Sequence, residues 1–121
     1  MKTLLCLVLL ALAPLAMAAE PKVIDIKLDS YTIKPDHITL KVNEPVTFKV
    51  SNEATFIPHD LVIKAPDAGI DIKVDLKAGK SGEISFTPTK AGTYEMVCDK
   101  APPFGKSHKD RGMHGVLTVE P

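Results

Sequence analysis

The chain has 121 residues, with 15 basic and 15 acidic side chains and a formal net charge of zero. That length gives one domain with one core and no room for two. A balanced charge argues against a dedicated nucleic-acid binder, which carries a strong basic excess.

Residues 1–19 read as a secretory leader. Lys2 supplies the positive start, Leu4 to Leu15 an apolar run, and Ala16-Met17-Ala18 a small-x-small cleavage signal. The run is too short, and too closely followed by that signal, to favour a membrane-spanning helix. Cys6 falls inside it as apolar filler. The remaining domain, residues 20–121, has 102 residues and, with Lys2 gone, 14 basic against 15 acidic side chains. It is expected to be exported, periplasmic and monomeric. Only Cys98 remains, so no intramolecular disulfide can form. A lone cysteine in an oxidising compartment calls for burial or an occupied coordination site.

No helical period of useful length follows the leader. Short alternating runs do, separated by turn residues at the spacing of a sandwich or barrel. The first is residues 23–28. Residues 31–33 lead into Pro35, which cannot donate to a ladder and suits an edge or a strand crossover, and residues 38–42 resume. Asn43-Glu44-Pro45 turns the chain into residues 46–50. A longer irregular link, residues 53–58, precedes a run from His59 to Ile63, in which His59 shares a face with Leu61 and Ile63. Residues 65–69 read as loop. Residues 70–76 alternate with their charges outward, and residues 83–86 follow a Gly-rich turn. Residues 93–98 then put Tyr94, Met96 and Cys98 on one face, and residues 115–119 close the domain. The pattern predicts an all-β, eight-stranded Greek-key β-sandwich.

The chemistry gathers in residues 98–115, where Cys98 is followed by nine residues, His108, four residues and Met113. Taken singly, His59 is an ordinary polar residue at a strand start, Cys98 a small core hydrophobe and Met113 a gap-filler. Together they are more specific. Strand ends gather at the two poles of a sandwich, so the start of His59's strand and the end of Cys98's strand meet if the two run antiparallel. Two imidazoles and a thiolate with a weak thioether are the donor set of an electron-transfer copper centre. Zinc would also accept such donors, but the methionine favours copper.

These residues carry a family resemblance. Residues 35–40 and 45–48, the Asn52…Pro58-His59-Asp60-Leu61 segment, residues 92–98, and His108 with residues 112–119 resemble the cupredoxins, the small blue copper proteins. The resemblance implies an eight-stranded sandwich, one copper ion, and His59, Cys98, His108 and Met113 as its ligands, with the Pro58 carbonyl as a distant neighbour. It implies a one-electron carrier between redox protein partners such as cytochromes or oxidoreductases, rather than an enzyme. The alternative is a copper chaperone or resistance protein, and a third reading is a metal-free interaction module.

The chain departs from the family in the gap between Cys98 and His108, usually two to four residues. Loop closure costs only about 0.6 kcal/mol per doubling of length, and Pro102 and Pro103 stiffen the insertion. The gap leaves His114, beside Met113, as the other possible imidazole; the four-residue spacing and the Gly-Met-x-Gly run fit His108 to the family. His37 reads as a surface residue. Pro102, Pro103, Phe104 and Lys106 are expected to dock a partner, with Phe104 shielding the metal as the other use of its ring. Lys100, Lys106, Lys109 and Arg111 form a basic rim suited to an acidic partner.

Overall fold

The computed structural model describes residues 8, 10–13 and 20–121, so the expected leader, residues 1–19, falls largely outside the described residues. Among the described residues no helix is long and apolar enough to cross a membrane.

Among the described residues nine strands form, in chain order β1 (Lys22–Asp29), β2 (Thr32–Lys34), β3 (His37–Lys41), β4 (Val46–Asn52), β5 (His59–Ala65), β6 (Ile70–Leu76), β7 (Ser81–Phe86), β8 (Gly92–Val97) and β9 (His114–Glu120). They make two sheets, β2-β1-β4-β7 and β3-β9-β8-β5-β6. The eight-stranded sandwich expected from alternation is present, and the ninth segment arises at Pro35. There the chain leaves β1's partner β2 and crosses to the other sheet, where β3 runs parallel to β9. A residue without an N–H suits such a crossing.

Alternation places Ile26, Leu28, Phe48 and Val50 of one sheet against Leu61, Ile63, Ile72, Met96 and Leu117 of the other, all essentially inaccessible. The short η segment Pro66–Ala68 with Gly69 in a left-handed cap fills what the sequence suggests is plain loop. The alternation fails in β5, where Asp60 and Val62 are buried as well as the inward His59, Leu61 and Ile63. β5 lies between β6 and β8 in its sheet, and at its start the Asp99 N–H donates to the Asp60 carboxylate.

Two features fix the pole where β5 begins. The Asn52 side chain donates to the carbonyls of Ile57 and Leu76 and accepts from the Ala54 N–H, at 2.9, 3.1 and 3.0 Å. It pins the irregular link that delivers His59. At the start of β9, the Val116 N–H donates to the Asp36 carbonyl at 2.7 Å, so β9 lies hard against the crossing. Gly115 permits this approach, because a Cβ there would sit 2.5 Å from the Asp36 oxygen and 2.9 Å from Met96 Cε.

Gly115→Ala is therefore expected to destabilise the fold by about 1–3 kcal/mol, as overpacking against backbone does. Urea unfolding measures it; an unchanged midpoint would show that the crossing is free to give way.

Candidate metal centre

β5 and β8 are antiparallel neighbours, with Val62 opposite Val97. The start of one and the end of the other therefore meet, and His59 at the first residue of β5 faces Cys98 just past the end of β8. Both are inaccessible to solvent, and His108 is 6% exposed.

The three side chains bring their donors together. Nδ1 of His59 lies 3.2 Å from Nδ1 of His108, and Cys98 Sγ lies 3.8 Å from the first and 3.6 Å from the second. Among the described residues this is the one group of three or more His, Cys, Asp or Glu donors close enough to share an ion. The centre of that triangle is about 2.1 Å from each corner, within the range of metal–nitrogen and metal–sulfur bonds. Two facing imidazole nitrogens can share at most one proton between them. The arrangement is poor as a hydrogen-bond network and good as a cage for a soft cation. The donors fit copper: two imidazoles and one thiolate, sealed from water, with a thioether nearby.

Met113 is fully buried in the same core. Its backbone ties it to both loop ligands: the Cys98 N–H donates to the Met113 carbonyl and the Met113 N–H to the His108 carbonyl, each at 3.1 Å. His114 begins β9 exposed, paired with Val97, outside the cluster. His37 is on the surface and its Nδ1 meets Asp36 at 3.1 Å.

The long gap between Cys98 and His108 is resolved by a pinch. The His108 N–H donates to the Lys100 carbonyl at 2.9 Å. Residues 101–106 thus leave as an exposed excursion, while Cys98 and His108 are held as if the loop were short. A turn then follows, with Arg111 N–H donating to the Ser107 and His108 carbonyls and Gly112 N–H to Lys109.

Burial sets the proton chemistry. It holds the imidazoles of His59 and His108 below the ordinary range, aided for His59 by the neighbouring His108 and for His108 by Arg111. It pushes the Cys98 thiol up, although the N–H groups of Asp60 and Lys100 pull it the other way. The Asp60 N–H lies 3.5 Å from Sγ. Loading a cation must therefore displace the thiol proton. His59 Nε2 is buried with no partner, and Nδ1 is the nitrogen that faces the other two donors.

Three residues escaped the sequence reading. Asp60 follows a candidate ligand on the strand, on the face opposite His59, yet it is 1% exposed and its carboxylate accepts from the Asp99 N–H at 2.6 Å. Tyr31, in the β1–β2 hairpin, sets its ring edge-to-face with both imidazoles. Phe56 is 89% exposed and lines a cleft of about 520 Å³ with Tyr31, Pro58, Pro102, Pro103, Phe104, His108 and Arg111. Hydrophobicity alone would have put the Phe56 ring in the core. Phe104 is 91% exposed, so it does not tuck over the centre. The basic rim is also weaker than its sequence suggests, because Lys100 pairs with Asp75 at 2.8 Å and Lys109 with Glu95 at 3.1 Å.

Residues 2–119 match the family described as the Cupredoxin-like domain. Comparison with curated protein sequences gives no match. Among solved structures, dithionite-reduced auracyanin from the photosynthetic bacterium Roseiflexus castenholzii aligns with a TM-score of 0.68 at 24% identity, over 85% of this chain and 100% of that one. Auracyanin A, a "blue" copper protein from the green thermophilic Chloroflexus aurantiacus, aligns with a TM-score of 0.63 at 21% identity, over 84% and 100%. The copper-containing nitrite reductase of Thermus scotoductus aligns at 0.58 and 24% identity over 90% of this chain but 25% of its own. At these identities the likeness is one of fold.

Depressed imidazoles have a consequence for the metal-free protein. Below an ordinary histidine's pKa of about 6.5 the unfolded chain takes up protons that the folded chain refuses, so stability falls as pH falls from there. Denaturant midpoints between pH 7.5 and 5.5 should decline more steeply for the wild type than for a His59→Asn, His108→Asn double variant. Equal slopes would contradict the burial account.

Proposed function

The chain belongs to the cupredoxin-like family and its cofactor is copper, and on that premise we propose that it is an exported one-electron carrier whose metal is held by His59, Cys98, His108 and Met113. The observation that carries this reading is the sealed triangle of two Nδ1 atoms and one Sγ, 3.2 to 3.8 Å apart. Bound copper supplies the one-electron change between Cu(II) and Cu(I).

The residues account for the rest. Cys98 gives a thiolate, a ligand suited to the reduced ion, and the two imidazoles suit both states. Met113 adds a weak thioether contact that tunes the potential. Backbone hydrogen bonds lock Cys98, His108 and Met113 to one another, and β5 carries His59 as part of the sandwich. A site held this firmly keeps one geometry in both oxidation states, which favours fast transfer and offers no open position to a substrate. Carrier rather than enzyme is supported by how the relatives are matched: the auracyanins are covered completely, the nitrite reductase over a quarter of its chain.

Residues 1–19 direct the protein to the periplasm, and its partners are redox proteins. They dock over His108 on the cleft with the exposed aromatic rings. Pro102, Pro103, Phe104 and Phe56 line it, and Lys106 lies on the same excursion as the first three. Large exposed aromatics beside a pocket are what interfaces use.

Purified protein given Cu(II) is expected to show an intense thiolate-to-copper visible band and reversible reduction. Protein that stays colourless and takes only Cu(I) would instead be a copper-handling protein, and protein that binds no copper would be an interaction module. Ligand assignment follows from substitutions: His108→Ala loses the normal spectrum while His114→Ala keeps it, and the reverse result would sink the assignment. Met113→Leu should keep copper and shift the potential; complete loss of binding would show that the thioether is more than a tuner.

A further inference from the structure

We propose that Tyr31 is a positioning residue for the copper site: its ring braces the imidazoles of His108 and His59, and the Arg111 guanidinium stacked on it places a fixed cation beside the centre. This rests on the copper reading above.

The backbone at Tyr31 gives the first argument. Asp29 pairs with Thr32, leaving Ser30 and Tyr31 as a two-residue hairpin loop, and Tyr31 has φ 63. Glycine or asparagine takes that conformation readily, whereas a bulky aromatic does not. The turn itself has no need of a ring. Strain kept at such a point indicates a use for the side chain.

The contacts show the use. The Tyr31 ring lies 5.3 Å from the His108 ring with an interplanar angle of 75°, and 6.4 Å from His59 at 81°. The two imidazoles are themselves 5.1 Å apart at 67°. Each pair is edge-to-face within the favourable range for aromatic contacts. Three rings in mutual contact limit how far either imidazole can swing, which holds the Nδ1 atoms toward Cys98. His108 is the ligand most in need of this, since it comes from a loop rather than a strand.

Arg111 closes the arrangement from the other side. Its guanidinium carbon is 4.7 Å from the centre of the Tyr31 ring, a cation–π contact. Its backbone N–H donates to the His108 carbonyl, so the residue that carries the cation sits in the same tight turn as the ligand. The loop also approaches the hairpin closely at Gly112, where φ is 115 and a Cβ would lie 3.3 Å from the Tyr31 carbonyl. Hairpin and ligand loop thus act as one unit. A cation fixed near the metal favours the state of lower positive charge, and so raises the reduction potential.

Tyr31→Phe, Tyr31→Gly, Arg111→Lys and Arg111→Ala separate these roles. Tyr31→Phe should leave the visible spectrum and potential as in the wild type. Tyr31→Gly suits the turn, yet should shift the copper band. In the metal-free protein, the same change should move the NMR signals of the His108 ring protons, which lose the neighbouring aromatic ring current. Arg111→Ala should lower the potential and Arg111→Lys restore it. Wild-type spectra and potentials in Tyr31→Gly and Arg111→Ala, with His108 signals unmoved, would overturn the proposal while leaving the copper reading intact. Failure of the copper reading would show separately, as no thiolate–copper band in the wild type; in the metal-free protein, exchange broadening of the His108 ring signals in Tyr31→Gly, beyond the shift that loss of a ring current gives by itself, would still support the brace, and sharp signals would overturn it.

Discussion

Two imidazole nitrogens and a thiol sulfur held 3.2 to 3.8 Å apart inside a sealed core are unfavourable company without a cation. All three are buried, the two nitrogens share at most one proton, Sγ has only the long Asp60 N–H contact, and His59 Nε2 has no partner; a buried polar group left unpaired costs on the order of 1–3 kcal/mol. The fold must supply that free energy from elsewhere. It does so with two sheets whose facing apolar rows are almost completely buried. Metal binding then releases the penalty, which ties the stability of this pole to its occupancy.

The geometry of the triangle depends on two different kinds of support. His59 comes from a central strand whose entry is pinned by Asn52. Cys98 leaves the neighbouring antiparallel strand, so these two donors are positioned by the sandwich itself. His108 and Met113 come from a loop, and backbone hydrogen bonds from Lys100 through His108 and Met113 back to Cys98 convert that loop into a closed unit. The exposed excursion 101–106 can then vary in length without disturbing the donors. It brings Pro102, Pro103 and Phe104 to the rim of the cleft above His108.

Much of this was legible in the sequence. Strand parity put His59 with Leu61 and Ile63, and Cys98 with Met96, and both rows are buried as expected. Pro35 marked the crossing between sheets because proline lacks the donor a central strand requires. The choice between His108 and His114 was not legible from periodicity alone: one closes a pinched loop and the other starts a strand on its outer face, a difference set by a long-range Lys100 contact. Tyr31 was hidden because its role depends on where a hairpin aims a ring. Asp60 was hidden because an acidic residue on a strand ordinarily faces solvent, and only the fold of the following loop buries it. The basic rim misled for a similar reason, since Asp75 on β6 and Glu95 on β8 reach two of its lysines from remote positions in the chain.

X-ray absorption spectroscopy at the copper edge counts the neighbours of the metal without reference to function. One short sulfur neighbour and two imidazole nitrogens are expected for the wild-type protein in both oxidation states, with little change in their distances on reduction. A copper shell without a short sulfur, or one that loses an imidazole on reduction, would contradict that ligand set.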